Sequence, residues 1–153
     1  MRVIQTARFG GPEVLEAAER EIPVPGPGEV LVRVRAAGVN LSDTLTRQDR
    51  YAISPVLPSV LGTEVAGDIV GVGSEVAGWT VGQRVAAPLF AAGQMFGGYA
   101  EYAVLDERYP GVAAALVEGD DLVPGIAVSI NDQAGQLGIF EVVPEDAEVH
   151  FLP

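Results

Sequence analysis

Residues 28–43 read GEVLVRVRAAGVNLSD, and this stretch decides the fold. Side chains of an extended chain alternate between two faces, and here one face takes Val30, Val32 and Val34 while the other takes Leu31, Arg33 and Arg35. This alternation predicts a half-buried β-strand. The following SDTLTRQ predicts a short helix, with Asn40 or Ser42 at its start as the capping residue.

Other short apolar segments surround this strand, and glycine or proline separates them. The strand candidates are MRVIQTA at the N-terminus, TEVAGDIVGVG over 63–73, the residues after VGQRV, and GGYAEYAVL over 97–105. Many short strands with little helix indicate a mainly β fold with short helices, arranged as a compact barrel-like domain.

The composition excludes several classes of protein. The chain has 153 residues, is 48% hydrophobic and has a mean hydropathy of +0.28, which suits a folded core. The net charge of −12 argues against nucleic-acid binding, because such a chain repels phosphate backbones. No apolar run is long enough for a membrane helix. The absence of cysteine excludes disulfides and thiolate metal sites, and a cytoplasmic protein is the simplest interpretation.

Acidic residues are concentrated towards the C-terminus. Residues 1–104 hold 8 arginines and 11 acidic residues, whereas residues 105–153 hold Arg108 and 10 acidic residues. This break in composition predicts two segments of different origin or role, and a single solvated acidic face is the alternative.

The four motifs GEVLVRVRAAGVNLSD, GTEVAGDIVGVGSEV, VGQRV and GGYAEYAV are similar in order and spacing to a known domain. They resemble the N-terminal, GroES-like domain of the medium-chain dehydrogenase/reductase superfamily, in the branch of zinc-free quinone oxidoreductases related to zeta-crystallin. The resemblance implies a partly open GroES-like β-barrel over residues 1–104. It also implies an ancestry in NADPH-dependent reduction of quinones or related enones.

The same resemblance implies candidate ligand contacts. Asn40, in Asn-Leu-Ser-Asp, matches an asparagine at the mouth of the nicotinamide cleft. It is a candidate for binding cofactor and substrate, through a ribose hydroxyl or a carbonyl, and a helix cap is the alternative role. Thr63 is a second candidate cofactor contact, at the position where zinc-dependent relatives have a metal-binding histidine. Tyr51 matches a tyrosine that contacts substrate or cofactor.

Acidic residues of the same motifs are expected to be structural rather than catalytic. Asp43 suits the first turn of the predicted helix, where the helix dipole favours a carboxylate. The resemblance implies that Glu64 is buried against the domain's own backbone, with a structural hydrogen-bonding role and not a role in proton transfer. No zinc site is expected, because a catalytic zinc takes about three protein ligands and the chain offers His150 and no cysteine.

A nucleotide-binding motif is missing from the sequence. In enzymes of this type the cofactor phosphates rest on a glycine-rich turn at a helix N-terminus, and GVGSEV over 71–76 lacks both the third glycine and a helical sequel. We therefore expect little activity from the chain alone and assign no catalytic residue. The expected partner is a complementing Rossmann-domain chain or a second copy. A non-enzymatic interaction or oligomerisation module is the alternative.

Residues 105–153 resemble something else. The stretch predicts a helix over YPGVAAALVEG, a strand over IAVSIND and a final strand ending HFLP. This order is similar to the C-terminal half of a ubiquitin-like sulfur carrier, such as the molybdopterin-synthase small subunit or the thiamine-pathway carrier. The chain as given ends at Pro153 without a diglycine, so carrier chemistry is not expected on it. The alternative is an internal deletion that leaves returning strands to complete the GroES-like domain.

Overall fold

The computed structural model describes residues 1–89, 94–107, 127–131 and 136–140. The regular elements are β1 (Arg2–Thr6), β2 (Leu15–Glu19), β3 (Glu29–Ala37), α1 (Leu41–Arg47), β4 (Ser59–Val60), β5 (Glu64–Val72), β6 (Arg84–Pro88), β7 (Tyr102–Asp106), β8 (Ala127–Asn131) and β9 (Gln136–Phe140). A 3₁₀ turn, Pro12–Val14, precedes β2.

The strands form two larger antiparallel sheets and a hairpin. A three-stranded sheet has the order β2-β1-β4, a four-stranded sheet has the order β6-β5-β3-β7, and β8 pairs with β9. A bridge between Val3 and Ala100 joins the two larger sheets, and the Ile4 N–H donates to the Tyr99 carbonyl oxygen at 2.8 Å. This connection fixes the backbone of Tyr99 between the two sheets.

The hydrophobic core lies on one face of the four-stranded sheet. Alternate residues of β3 and β5 point into it, and β6 and β7 close its sides. The buried cluster consists of Val30, Val32, Val65, Ile69, Val85, Ala87, Leu89, Ala103 and Leu105, with Val34, Val76 and Trp79 packed against it. The predicted alternation in β3 is confirmed, because Val30 and Val32 are buried whereas Arg33 and Arg35 are exposed.

β5 curves where it approaches β3. The pairing of these strands shifts register between Leu31 and Val32 and again between Val34 and Ala36. A Cβ on Gly67 would lie 2.1 Å from the Arg33 carbonyl oxygen, so a residue without a side chain is required at this position. The glycine that interrupts the predicted strand thus lets the two backbones approach closely.

Most of the predicted elements up to residue 106 are confirmed. The helix begins at Leu41 with Asn40 as its N-cap, and the strand predicted over 63–73 spans Glu64–Val72. The strand predicted over 97–105 begins later, at Tyr102. Within the described ranges the strands form open sheets with no closed barrel.

The C-terminal predictions are tested only at the hairpin. The strand predicted over IAVSIND is confirmed as Ala127–Asn131, and it pairs with Gln136–Phe140. The helix predicted over 109–119 and the final strand lie outside the described residues. Among the residues that the structure describes, no helix is long and apolar enough to cross a membrane.

Candidate functional site

The N-terminus of α1 carries a capping box. Asn40 is the N-cap, and its backbone N–H donates to Oδ2 of Asp43 at 2.8 Å. In return the Asn40 side chain faces the backbone N–H of Asp43. This reciprocal arrangement satisfies donors that a helix start leaves free, so the two residues define the start of the helix together.

Asp43 is buried beneath the helix, with 3% of its surface exposed. Its Oδ2 also accepts a hydrogen bond from the Tyr99 hydroxyl at 3.0 Å. Its Oδ1 has no hydrogen-bond partner among the described residues. Burial of a carboxyl group costs free energy unless the group is well paired. The side-chain partner of Asp43 is Tyr99, which lies 56 positions later in the sequence.

Burial changes the titration of both groups. Desolvation raises the pKa of Asp43 above its usual range, and the negative charge of Glu64 adds to the rise. The hydrogen bonds from Asn40 and Tyr99, and the backbone N–H of Gly62, act in the opposite direction. Burial and the Asp43 charge together raise the pKa of Tyr99, so its hydroxyl remains a donor to Asp43.

The Asn40 amide group connects this helix start to β5. Its Nδ2 donates to Oγ1 of Thr63 at 3.2 Å and to Oε1 of Glu64 at 3.0 Å. Two candidate cofactor residues, Asn40 and Thr63, therefore touch one another although they are 23 positions apart in the sequence. We call Asn40, Asp43, Thr63, Glu64 and Tyr99 the polar cluster.

Two glycines make room for the polar cluster. A Cβ on Gly38 would lie 1.9 Å from Glu64 Oε1, so the carboxylate occupies the space that a side chain would fill. Gly62 has a φ of +90°, and a Cβ there would lie 2.6 Å from Cδ1 of Tyr99. Glycine adopts this left-handed conformation without penalty, so the Gly62-Thr63-Glu64 sequence can turn directly against the tyrosine ring.

Tyr51 lies apart from the hydrogen bonds of the polar cluster. It follows α1, is 40% exposed, and no hydrogen bond between described residues joins it to the cluster. In the described ranges no three His, Cys, Asp or Glu side chains are grouped to hold a metal ion.

Sequence reasoning missed the role of Tyr99. Tyr99 belongs to the quoted GGYAEYAV motif, but its partner Asp43 is 56 positions away and no local pattern connects them. The Glu64 carboxylate accepts a hydrogen bond from the Asn40 side chain, a contact that the sequence did not predict. Asp43 does occupy the first turn of the helix, as expected.

Exposed apolar side chains lie next to the helix start in the sequence and in the loop after α1. Val39 and Leu41 flank Asn40 in the sequence and are 61% and 75% exposed, and Val56, in the loop that follows, is 91% exposed. A partly exposed amide and hydroxyl beside apolar side chains suit a ligand that is flat, largely apolar and polar at a few points.

Residues 26–115 match the family model of the alcohol dehydrogenase GroES-like domain. The chain belongs to this family. Within it the GroES-like domain is of the quinone-oxidoreductase type in the medium-chain dehydrogenase/reductase superfamily. It is 50% identical over 105 residues to the quinone oxidoreductase of Pseudomonas aeruginosa, which covers 69% of this chain and 31% of that protein. The chain thus spans about a third of the length of the curated relatives it matches.

Solved structures of quinone oxidoreductases have the same domain. The enzyme from Pseudomonas syringae pv. Tomato superposes with a TM-score of 0.67 at 40% identity, over 77% of this chain and 34% of that chain. The Escherichia coli quinone oxidoreductase complexed with NADPH gives a TM-score of 0.65 at 35% identity, over 74% of this chain and 33% of that chain. The GroES-like assignment of the sequence is confirmed by both comparisons.

Proposed function

We propose that this chain is the substrate-side domain of an NADPH-dependent quinone or enone reductase, and that it works with a nucleotide-binding domain supplied by another chain or segment. The observation that carries the proposal is the joined pair Asn40 and Thr63 at the start of α1, partly exposed and bordered by Val39 and Leu41. Among the solved relatives, the E. coli quinone oxidoreductase complexed with NADPH supports the proposal.

The residues of this chain suit the nicotinamide end of NADPH. Asn40 and Thr63 offer neutral polar atoms that can meet a ribose hydroxyl or a carboxamide. Tyr51 offers a hydroxyl to cofactor or substrate from the loop beyond α1. NADPH, when bound, supplies a hydride, and the role of these residues is to hold its nicotinamide against the substrate.

The residues at the start of α1 are not suited to bind the phosphates of NADPH. α1 is seven residues long, and the carboxylate of Asp43 already caps its N-terminus. A phosphate at that position would meet a negative charge in place of free N–H groups. The phosphates therefore need a second domain, and we expect little turnover from this chain alone.

Complementation tests this proposal. The purified chain would be assayed for NADPH-dependent quinone reduction alone and after mixing with the nucleotide-binding segment of the P. aeruginosa relative. We expect activity only in the mixture, and we expect Asn40→Ala in this chain to reduce that activity. Turnover by the chain alone would mean that it holds the phosphates itself. Absence of turnover in a mixture that forms a complex would reject the reductase.

A second candidate function follows from the exposed apolar residues. Val39 and Leu41 flank Asn40 in the sequence and are exposed, as is Val56 in the loop after α1, and exposed apolar side chains favour association with protein. As a non-enzymatic module the chain would associate with itself or with a partner. Light scattering tests the self-associating form of this module, because its mass would be well above 15.9 kDa, whereas a chain that binds a different partner stays monomeric when purified alone.

A further inference from the structure

We propose that Thr63 and Glu64 lock the Asn40 amide as a hydrogen-bond acceptor, so that the ligand atom Asn40 holds is a donor: a sugar hydroxyl or a carboxamide N–H, and not a quinone carbonyl. This inference rests on the proposed function for the identity of the ligand. The hydrogen bonds from Asn40 Nδ2 to Thr63 and Glu64, which we call the lock, concern this chain alone.

The two N–H protons of the Asn40 amide have two acceptors within the protein. A side-chain amide has two N–H donors on Nδ2 and one acceptor oxygen, Oδ1. Here Nδ2 has two acceptors within hydrogen-bonding distance, Thr63 Oγ1 at 3.2 Å and Glu64 Oε1 at 3.0 Å. Each of the two protons has a protein partner, and no proton remains for a ligand carbonyl.

The neighbours of the Asn40 amide also determine which way it faces. The nitrogen and oxygen of an asparagine have nearly the same shape, so its orientation follows from its neighbours. An ionised carboxylate only accepts hydrogen bonds. If the Asn40 amide were turned by 180°, Oδ1 would face the Glu64 carboxylate at hydrogen-bonding distance with no proton between them. Glu64 therefore determines the orientation.

Glu64 is held in place beside Gly38. Its Oε1 lies 1.9 Å from the point where a Cβ on Gly38 would sit, so glycine at position 38 is what admits the carboxylate. The Gly38 backbone N–H also donates to the Glu64 carbonyl oxygen at 3.3 Å. Glu64 is thus a positioning residue that acts through Asn40.

The remaining acceptor is Oδ1, whose two lone pairs are only partly used. It faces the Asp43 backbone N–H in the capping box, and a carbonyl oxygen can accept a second hydrogen bond. Asn40 is partly exposed. A ligand hydroxyl or N–H can therefore add to Oδ1 without displacing any protein contact, and the proton that polarises a substrate carbonyl must come from another group.

NMR of the whole chain tests the lock directly. Asn40 and Asn131 are the two asparagines of the sequence, so ¹⁵N-asparagine labelling gives two side-chain NH₂ pairs, and Asn131→Gln assigns them. We expect both Asn40 Nδ2 protons to exchange slowly with water. Exchange as fast as that of a free amide in the wild type would overturn the lock.

Matched variants separate the two acceptors. Glu64→Ala should release one Nδ2 proton, and Gly38→Ala should do the same with the carboxylate still present but displaced. Thr63→Val should release the other proton, whereas Thr63→Ser should retain it. The backbone spectrum reports whether each variant is folded. If Glu64→Ala and Gly38→Ala are both folded and no Nδ2 proton is released in either variant, the proposal is also overturned.

Ligand titrations then test the donor rule. Reduced nicotinamide mononucleotide carries hydroxyl and carboxamide donors, whereas duroquinone has acceptors only. We expect the former to perturb the Asn40 resonances of the wild type and the latter to leave them unchanged. A duroquinone shift confined to the Nδ2 protons would overturn the inference. Protected protons with no response to the mononucleotide, in a complex of this chain with the nucleotide-binding segment of the P. aeruginosa relative, would keep the lock and reject the proposed function.

Discussion

The hydrophobic core and the polar cluster each include a residue of strand β5, Ile69 in the core and Glu64 in the cluster, and they are held together by different interactions. Ile69 is fully buried among aliphatic side chains of neighbouring strands, whereas Glu64, five residues earlier, holds Asn40 by a directed hydrogen bond. The core depends on volume and tolerates substitutes of similar shape. The polar cluster depends on which atom donates and which accepts, so loss of one donor proton leaves an acceptor unpaired and destabilises the cluster.

The largest expected effect comes from the core. Ile69→Ala removes a side chain with 0% exposure, and such truncations cost about 2 to 5 kcal/mol of unfolding free energy because a cavity remains. Urea unfolding, followed by the fluorescence of Trp79 packed against the core, measures this loss. Val70→Ala is the control, because Val70 is 40% exposed on the same strand. Equal losses for both variants would mean that burial does not distinguish the two faces of β5.

A smaller loss is expected from the polar cluster. Tyr99→Phe removes the hydroxyl that donates to Asp43 at 3.0 Å, and a hydrogen bond to a charged group contributes about 1.5 to 3 kcal/mol. The same unfolding assay measures it. Adding Tyr99→Phe to Asp43→Asn should cost less than adding it to the wild type, because the charged partner is already absent. A loss that is the same in both backgrounds would mean that the two side chains do not interact.

A pH series separates the two regions further, because the core has no titrating group. The pKa of Asp43 is raised in the folded state, so its contribution to stability is complete below the unfolded pKa and is lost as pH rises through the folded pKa. We expect the unfolding free energy of the wild type, relative to Asp43→Asn, to fall as the pH rises above the ordinary pKa of an aspartate side chain. Chemical denaturation at several pH values measures the difference.

Glu101 gives the opposite sign and serves as the control. Hydrogen bonds from the Arg2 backbone and side chain hold the pKa of Glu101 below its usual range. Its contribution is present above the unfolded pKa and is lost as pH falls through the folded pKa. The wild type should therefore lose stability relative to Glu101→Gln on acidification. The same slope for the Asp43 and Glu101 variants would contradict the assignment of the Asp43 shift to burial.

The two regions also differ in how well the sequence predicts them. The alternation of Val30, Val32 and Val34 is local, so the sequence alone predicts β3 and its buried face. The helix is predictable for the same reason, with Asn40 and Ser42 as alternative caps, and the structure has Asn40 as the N-cap. Period and capping chemistry act over a few residues, and a single sequence is sufficient to show them.

The polar cluster could be predicted only in its parts. Asn40 and Thr63 were singled out by resemblance, but the hydrogen bond between them spans 23 positions, and that between Tyr99 and Asp43 spans 56. Such pairings depend on how β5 and the residues before β7 fold back against α1. Neither periodicity nor composition carries this information, so the locked orientation of the Asn40 amide emerges only from the coordinates.

The smallest expected effect compares two buried threonines. Thr46 lies in α1 at 1% exposure, and its hydroxyl has no hydrogen-bond partner among the described residues. Thr6, at 0% exposure in β1, donates to the Arg8 carbonyl oxygen. Thr46→Val should leave stability unchanged or raise it by up to about 1 kcal/mol, because a buried hydroxyl without a partner costs free energy. Thr6→Val should lower it by about 1 kcal/mol.

Thermal and urea unfolding of Thr46→Val and Thr6→Val measure these two changes in stability. Threonine and valine are both β-branched and similar in size, so the replacement changes the hydroxyl and little else. If Thr46→Val were as destabilising as Thr6→Val, the Thr46 hydroxyl would have a partner beyond the described residues, either a water molecule or another part of the chain. The unpartnered Oδ1 of Asp43, three residues earlier on the same helix, would then be the next atom to examine for a similar partner.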